Sequence, residues 1–95
     1  MDKSIFTPEQ VKFQELLRQV RKEAGLTQAE LAQRLNTLQT IVSNFEIGER
    51  RLDVLELRQV CAAVGMPLVD FVVRLEEVLR EQVVGMSRSH SDNRE

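Results

Sequence analysis

The side chains that usually do covalent or metal chemistry are scarce in this chain. Its one histidine, His90, stands in a serine-rich stretch near the end of the sequence. Its one cysteine, Cys61, falls on an apolar helical face, where a thiol behaves as a small buried hydrophobe. No nucleophile has an evident base, no glycine loop has the spacing to cradle a phosphate, and no cluster has metal-ligand spacing. These absences argue against an enzyme, a metal site and a cofactor. Uncharged amides and hydroxyls are concentrated instead. The stretch LNTLQTIVSNFEIG, residues 35–48, sets Gln39, Thr40, Ser43 and Asn44 on one side of a helix. It holds no Lys or Arg, and its one carboxylate is Glu46. Such side chains donate and accept hydrogen bonds without attracting counter-charge, so their chemistry is recognition by complementary pattern.

The elements that must position these groups announce themselves by their caps. Thr7-Pro8-Glu9-Gln10 reads as a capping box with proline at the first helical position, flanked by Phe6 and Val11 as a staple. Phe13, Leu16, Leu17, Val20 and Ala24 then follow at helical spacing, and Gly25 ends the helix. Thr27-Gln28-Ala29-Glu30 is a second box, with Leu26 and Leu31 as staple and Leu31, Ala32 and Leu35 as the buried face. Asn36 suits the left-handed residue that would stop this helix. Thr37 is expected to cap a third helix, from Leu38 to about Ile47, with Ile41, Val42 and Phe45 inward. Asp53 to Glu56 starts a fourth, whose apolar face is Val54, Leu57, Val60, Cys61 and Val64. Gly65 stops it, and Pro67 opens a fifth that runs to about Val83. There is no strand pattern and no internal repeat. The fold class is all-α: five helices with an extended fifth. Residues 1–6 are expected to be an N-terminal arm, 7–84 the domain, and 85–95 a disordered polar tail.

Ninety-five residues make one domain, and 42% hydrophobic with 29% charged residues is a globular balance. Four Phe, with no Trp or Tyr, disfavour single-stranded nucleic acid, which is held by stacking on aromatic rings. One cysteine cannot form an internal disulfide, which fits a reducing compartment. No apolar run approaches the roughly 18 residues of a membrane span, and Met1 to Phe6 has no signal-peptide core. The expectation is a soluble cytoplasmic protein. Thirteen basic against fifteen acidic residues, a formal net charge of −2, gives no general attraction to polyanions. The basic residues nonetheless gather around residues 18–51, while Asp70, Glu76, Glu77 and Glu81 make the fifth helix acidic.

Residues 28–47 form two short helices joined by about three residues, a unit that presents its second helix as a ridge shaped for the major groove. RKEAGLTQAELAQRL followed by QTIVSNFEIGERR resembles the lambda-type phage repressor and Cro family of helix-turn-helix domains, also called the XRE family. The resemblance covers roughly Leu16 to Phe71. It implies a five-helix lambda-repressor-like fold that binds double-stranded DNA, commonly as a dimer, to regulate transcription. It also implies roles for single residues. Gln28 matches a glutamine that holds a phosphate and buttresses the reader, and Thr27 stands beside it at the same helix start. Gln39 matches a glutamine that reads adenine, for which its amide is suited: it can accept from N6 and donate to N7. Thr40 and Asn44 match base-facing positions, and Ser43 lies beside them. Leu38 falls where a small or capping residue is common in the family; an apolar group there can meet a thymine methyl. Arg21 and Glu46 match an internal salt bridge that fixes the tilt of the reader.

A reader without cations must take its phosphate contacts from neighbours. Arg50 and Arg51 are the first candidates, followed by Arg18, Lys22 and Arg34. Glu49 departs from the family, which often has a basic residue near that point. On the fifth helix, Leu68, Val72, Leu75 and Leu79 would cover the core. Val69, Phe71, Val73, Val78, Val83 and Val84 widen the apolar stripe beyond what a monomer needs, which points to a homodimer interface. Two copies would place two readers one DNA turn apart on a near-palindromic operator. The expected function is a dimeric repressor. The alternative is an antitoxin-like subunit that binds a protein partner through the fifth helix and DNA secondarily.

Overall fold

The computed structural model describes the backbone of residues 7–87 and the side chains of residues 7–81. Five helices follow one another: α1 Pro8–Glu23, α2 Gln28–Leu35, α3 Gln39–Ile47, α4 Val54–Val64 and α5 Leu68–Ser87. α3 packs on α2 and α1, α4 on α2, and α5 closes the core by packing on α1 and α4. No helix among the described residues is long and apolar enough to cross a membrane.

Three helices start where the caps place them. Thr7 Oγ1 accepts from Gln10 N at 3.1 Å. Thr27 and Glu30 form a reciprocal box, with Oγ1 accepting from Glu30 N at 3.0 Å and Glu30 Oε1 accepting from Thr27 N at 2.9 Å. Asp53 and Glu56 do the same at 2.8 and 3.0 Å. Each reciprocal box satisfies two backbone N–H groups at the helix start that would otherwise be unpaired. Phe6, expected to staple Val11, lies outside the described residues.

The start of α3 differs from the sequence expectation. Asn36 takes the left-handed conformation at φ 57°, and the next amide, Thr37 N, donates to Ala32 O at 2.9 Å. That pairing is how a left-handed residue closes a helix. It commits Thr37 to ending α2, so the cap position passes to Leu38, which has extended geometry and makes no side-chain cap hydrogen bond.

The core gathers Leu16, Leu17 and Val20 of α1, Leu31 and Ala32 of α2, Val42 and Phe45 of α3, and Leu57, Val60 and Cys61 of α4. Burial pushes the Cys61 thiol up. Val54, expected on the inner face of α4, is exposed instead, and Leu57 is the first residue of that helix in the core.

Phe71 requires a correction. The valine-rich stripe suggested an interface role, yet Phe71 is fully buried, its ring edge-on to that of Phe13 with centroids 5.9 Å apart. The core stripe of α5 is therefore Leu68, Phe71 and Leu75, and it is Val72 that turns outward. Arg74 adds a forked contact to Glu23 at the end of α1, at 2.8 and 3.0 Å. α5 also continues helically through Gly85 to Ser87, past the expected end at Val83 and the expected boundary after residue 84. The remainder of the 85–95 tail lies outside the described residues.

Candidate nucleic-acid interface

Glu46 is the anchor of the site. It sits near the end of α3, 1% exposed, facing Arg21 of α1, itself 7% exposed. Arg21 Nε donates to Glu46 Oε2 at 2.7 Å and Nη2 to Oε1 at 3.0 Å. Its remaining Nη1 donates to Leu26 O at 2.9 Å, so the guanidinium also holds the turn between α1 and α2. A planar fork meeting a carboxylate this way fixes angle as well as distance, and so fixes the seating of α3 on the body.

The carboxylate accepts a third hydrogen bond, from Gln28 Nε2 to Glu46 Oε1 at 3.0 Å. An ionised carboxylate only accepts, so Gln28 must turn its NH2 towards Glu46 and its carbonyl oxygen away. That oxygen accepts from Gln39 Nε2 at 3.4 Å, a long bond but one with a single workable polarity. A relay therefore runs from Arg21 through Glu46 and Gln28 to Gln39. Its consequence is chemical order. Gln39 keeps one N–H and its carbonyl oxygen for a ligand, and which end is nitrogen is settled by a buried charge. The free glutamine amide, which ordinarily flips, is oriented before any partner arrives.

Around this anchored amide, Leu38 and Thr40 are exposed, and Ser43 and Asn44 are half-buried along the same face. Ile47 ends the face, 54% exposed, a position that sequence reasoning left without a role. Thr27 is exposed at the start of α2; its oxygen accepts within the box, which leaves its hydroxyl proton to donate.

The surrounding cations are less uniform than the sequence suggests. Arg50 is held: its Nη2 donates to Glu56 Oε2 at 2.9 Å, and the guanidinium beside it, with the Asp53 amide, keeps the Glu56 carboxyl below its usual range. Sequence reasoning found Glu56 in the cap of α4 but not its contact with Arg50, because one oxygen serves the cap while the other reaches back across the loop. Arg34 donates to Ala63 O at 2.8 Å and ties α2 to the end of α4. Arg18, Lys22 and Arg51 are exposed. Across the molecule on α5, Val69 and Val73 are 63% and 50% exposed, Val72 joins them, and Val78 is half-buried. The Val83 and Val84 side chains lie outside the described residues.

A family model described as Helix-turn-helix matches residues 17–71, from the middle of α1 into α5. Among solved structures, the chain is similar to an XRE-family like protein from Pseudomonas syringae pv. tomato str. DC3000. The two are 38% identical with a TM-score of 0.71, over 81% of this chain and 94% of that one. No curated protein matches the chain.

Proposed function

The chain belongs to the XRE family of helix-turn-helix DNA-binding regulators, and from that premise we propose that it is a sequence-specific dimeric repressor acting on a near-palindromic operator. The oriented Gln39 amide carries this reading. Adenine presents an N6 donor beside an N7 acceptor in the major groove, and an amide of fixed polarity matches that pair in one register only. Thr40, Ser43 and Asn44 extend the hydrogen-bonding face, and none of them needs charge to discriminate bases. Gln28 and Thr27 approach a phosphate at the start of α2, where unpaired backbone amides favour an anion. Arg51, Arg18 and Lys22 supply further phosphate contacts, with Arg50 joining them once it leaves Glu56.

Few cations per protomer mean modest affinity, and a second copy doubles them. The exposed valines of α5, Val69, Val72 and Val73, form the apolar centre of the proposed twofold contact. Paired readers would then stand one DNA turn, about 34 Å, apart. Occupancy of a promoter is the simplest route to repression.

Selection from a randomised duplex library tests this, with Gln39→Ala as control. Recovery of a near-palindrome by the wild type, and loss of preference at one position per half-site in the control, is the expected result. No enrichment at any salt concentration would overturn the reading and leave a protein-binding module.

A further inference from the structure

Arg50 and Glu56 meet across the loop between α3 and α4, at the mouth of a pocket of about 220 Å³. Ile41 and Phe45 of α3 and Val60 of α4 give the pocket an apolar floor. Thr37 and Gln59 stand at its rim with a hydroxyl and an amide that both donate and accept. An apolar interior with a few placed polar groups is the usual make-up of a small-molecule site. A cavity of about 150 Å³ lined by Leu, Ile and Phe takes a benzene ring. This pocket therefore has room for a side chain between isobutyl and benzyl in size.

The charges at the mouth narrow the class of ligand. The Arg50 and Glu56 side chains are 39% and 36% exposed, and an ion pair that wet gives the fold little, so opening it costs little. Among the described residues the Arg50 side chain commits only Nη2, to Glu56, which leaves Nε and Nη1 to meet a second carboxylate. Glu56 Oε1 stays with the Asp53 amide whichever partner Oε2 holds, so the cap of α4 survives an exchange. A purely anionic ligand would be repelled by the Glu56 carboxylate, and a purely cationic one by the Arg50 guanidinium. A ligand bearing both charges avoids both repulsions: its carboxylate accepts from Arg50, its ammonium donates to Glu56 Oε2, and two ion pairs replace one. Opposite charges on one carbon, beside an apolar side chain, describe a free α-amino acid. We propose that this pocket binds an apolar amino acid of leucine to phenylalanine size, and that the bound carboxylate holds Arg50 back from phosphate. Occupancy then weakens the grip on DNA. This regulatory half rests on the DNA-reading role proposed above; the binding half does not.

Leucine is the probe, titrated into the full, isotope-labelled chain near neutral pH. The amide resonances of Thr37, Ile41 and Gln59 should shift saturably with a Kd of about 1 mM, the scale for so small a ligand in a half-open pocket. Leucinamide, which lacks the carboxylate, and isocaproate, which lacks the ammonium, should each bind about tenfold more weakly. Arg50→Gln and Glu56→Gln should each weaken leucine binding to the same extent while the rest of the spectrum is kept. On the operator recovered by selection, leucine should lower affinity severalfold, and a zwitterion adds no ionic strength, so that loss is not a salt effect. Absence of saturable shifts at these residues would overturn the proposal. So would leucinamide, isocaproate or glycine binding as tightly as leucine, or either variant binding leucine unchanged. Saturable binding with unaltered DNA affinity would overturn the regulatory half. Failure to recover any operator would overturn the DNA-reading role, a distinct outcome from failure of the pocket to bind leucine.

Discussion

Removing Glu46 should destabilise the protein strongly, because its carboxylate is the partner of a buried guanidinium. Glu46→Ala leaves the Arg21 guanidinium, 7% exposed, without its two carboxylate contacts, and leaves Gln28 without its acceptor. Breaking one side of a buried ion pair costs about 3–5 kcal/mol, chiefly because the other charge stays buried. At about 0.05–0.15 kcal/mol per residue, a 95-residue chain has roughly 5–14 kcal/mol in total. Each 1 kcal/mol moves Tm by about 4–8 °C in a domain of this size, so the loss is roughly 12–40 °C. Thermal denaturation followed by circular dichroism measures it. Arg21→Met with Glu46→Leu separates structure from recognition. With both charges gone the double variant should melt well above Glu46→Ala, although Leu26 O loses a donor. It should still fail to orient Gln28, and so lose base preference. An unchanged Tm for Glu46→Ala would refute the reasoning, and so would a double variant less stable than the single.

Three further outcomes follow from particular contacts. Val73 is 50% exposed, so Val73→Glu should leave Tm almost unchanged yet hold the protein monomeric in sedimentation at high micromolar concentration; an unaltered mass would remove α5 from the interface. Glu56→Gln keeps an acceptor for the Asp53 amide but removes the ion pair that Arg50 must break to reach phosphate, so affinity for DNA should rise at low salt, and an unchanged affinity would show that Arg50 does not reach phosphate. Glu23 and Glu56 have carboxyls lowered from the usual 4.5, first by hydrogen bonds from Arg74 and Arg50 respectively. Groups lowered on folding stabilise above the unfolded value, and that contribution is lost as pH falls through the folded value. Melting of the wild type should therefore fall more steeply below pH 4.5 than that of Glu23→Gln with Glu56→Gln, and parallel curves would contradict it.

Much of the architecture was legible because local chemistry repeats the global answer. Thr27 with Glu30, and Asp53 with Glu56, spell helix starts that the fold uses unchanged. The beginning of α3 was misread for a physical reason. Thr37 is a good cap by type, but closing α2 after Asn36 took its backbone first. On α5, Phe71 and Val72 are adjacent in a broad apolar stripe, and periodicity alone cannot choose which of two neighbours faces inward. Packing against Phe13 chose. The Arg21–Glu46 pair, 25 residues apart in sequence, came from the family resemblance rather than from spacing. The link from Glu46 to Gln28 to Gln39 needs side chains from two helices meeting in space, so no sequence period announces it. The same holds for Arg50 and Glu56, which meet across a loop.

A buried carboxylate, acting through Gln28, sets the polarity of the uncharged Gln39 amide that we propose reads adenine. The most direct test compares wild type with Gln28→Leu on the selected operator, carrying either adenine or 7-deazaadenine at the Gln39 position. Discrimination by a bidentate amide is worth about 1–3 kcal/mol in total, so loss of the N7 acceptor, one of its two hydrogen bonds, should weaken the wild type by roughly two- to twelvefold. Gln28→Leu should bind both duplexes alike. Equal discrimination by the two proteins would contradict the account, because Gln39 would then read its base without the relay behind it.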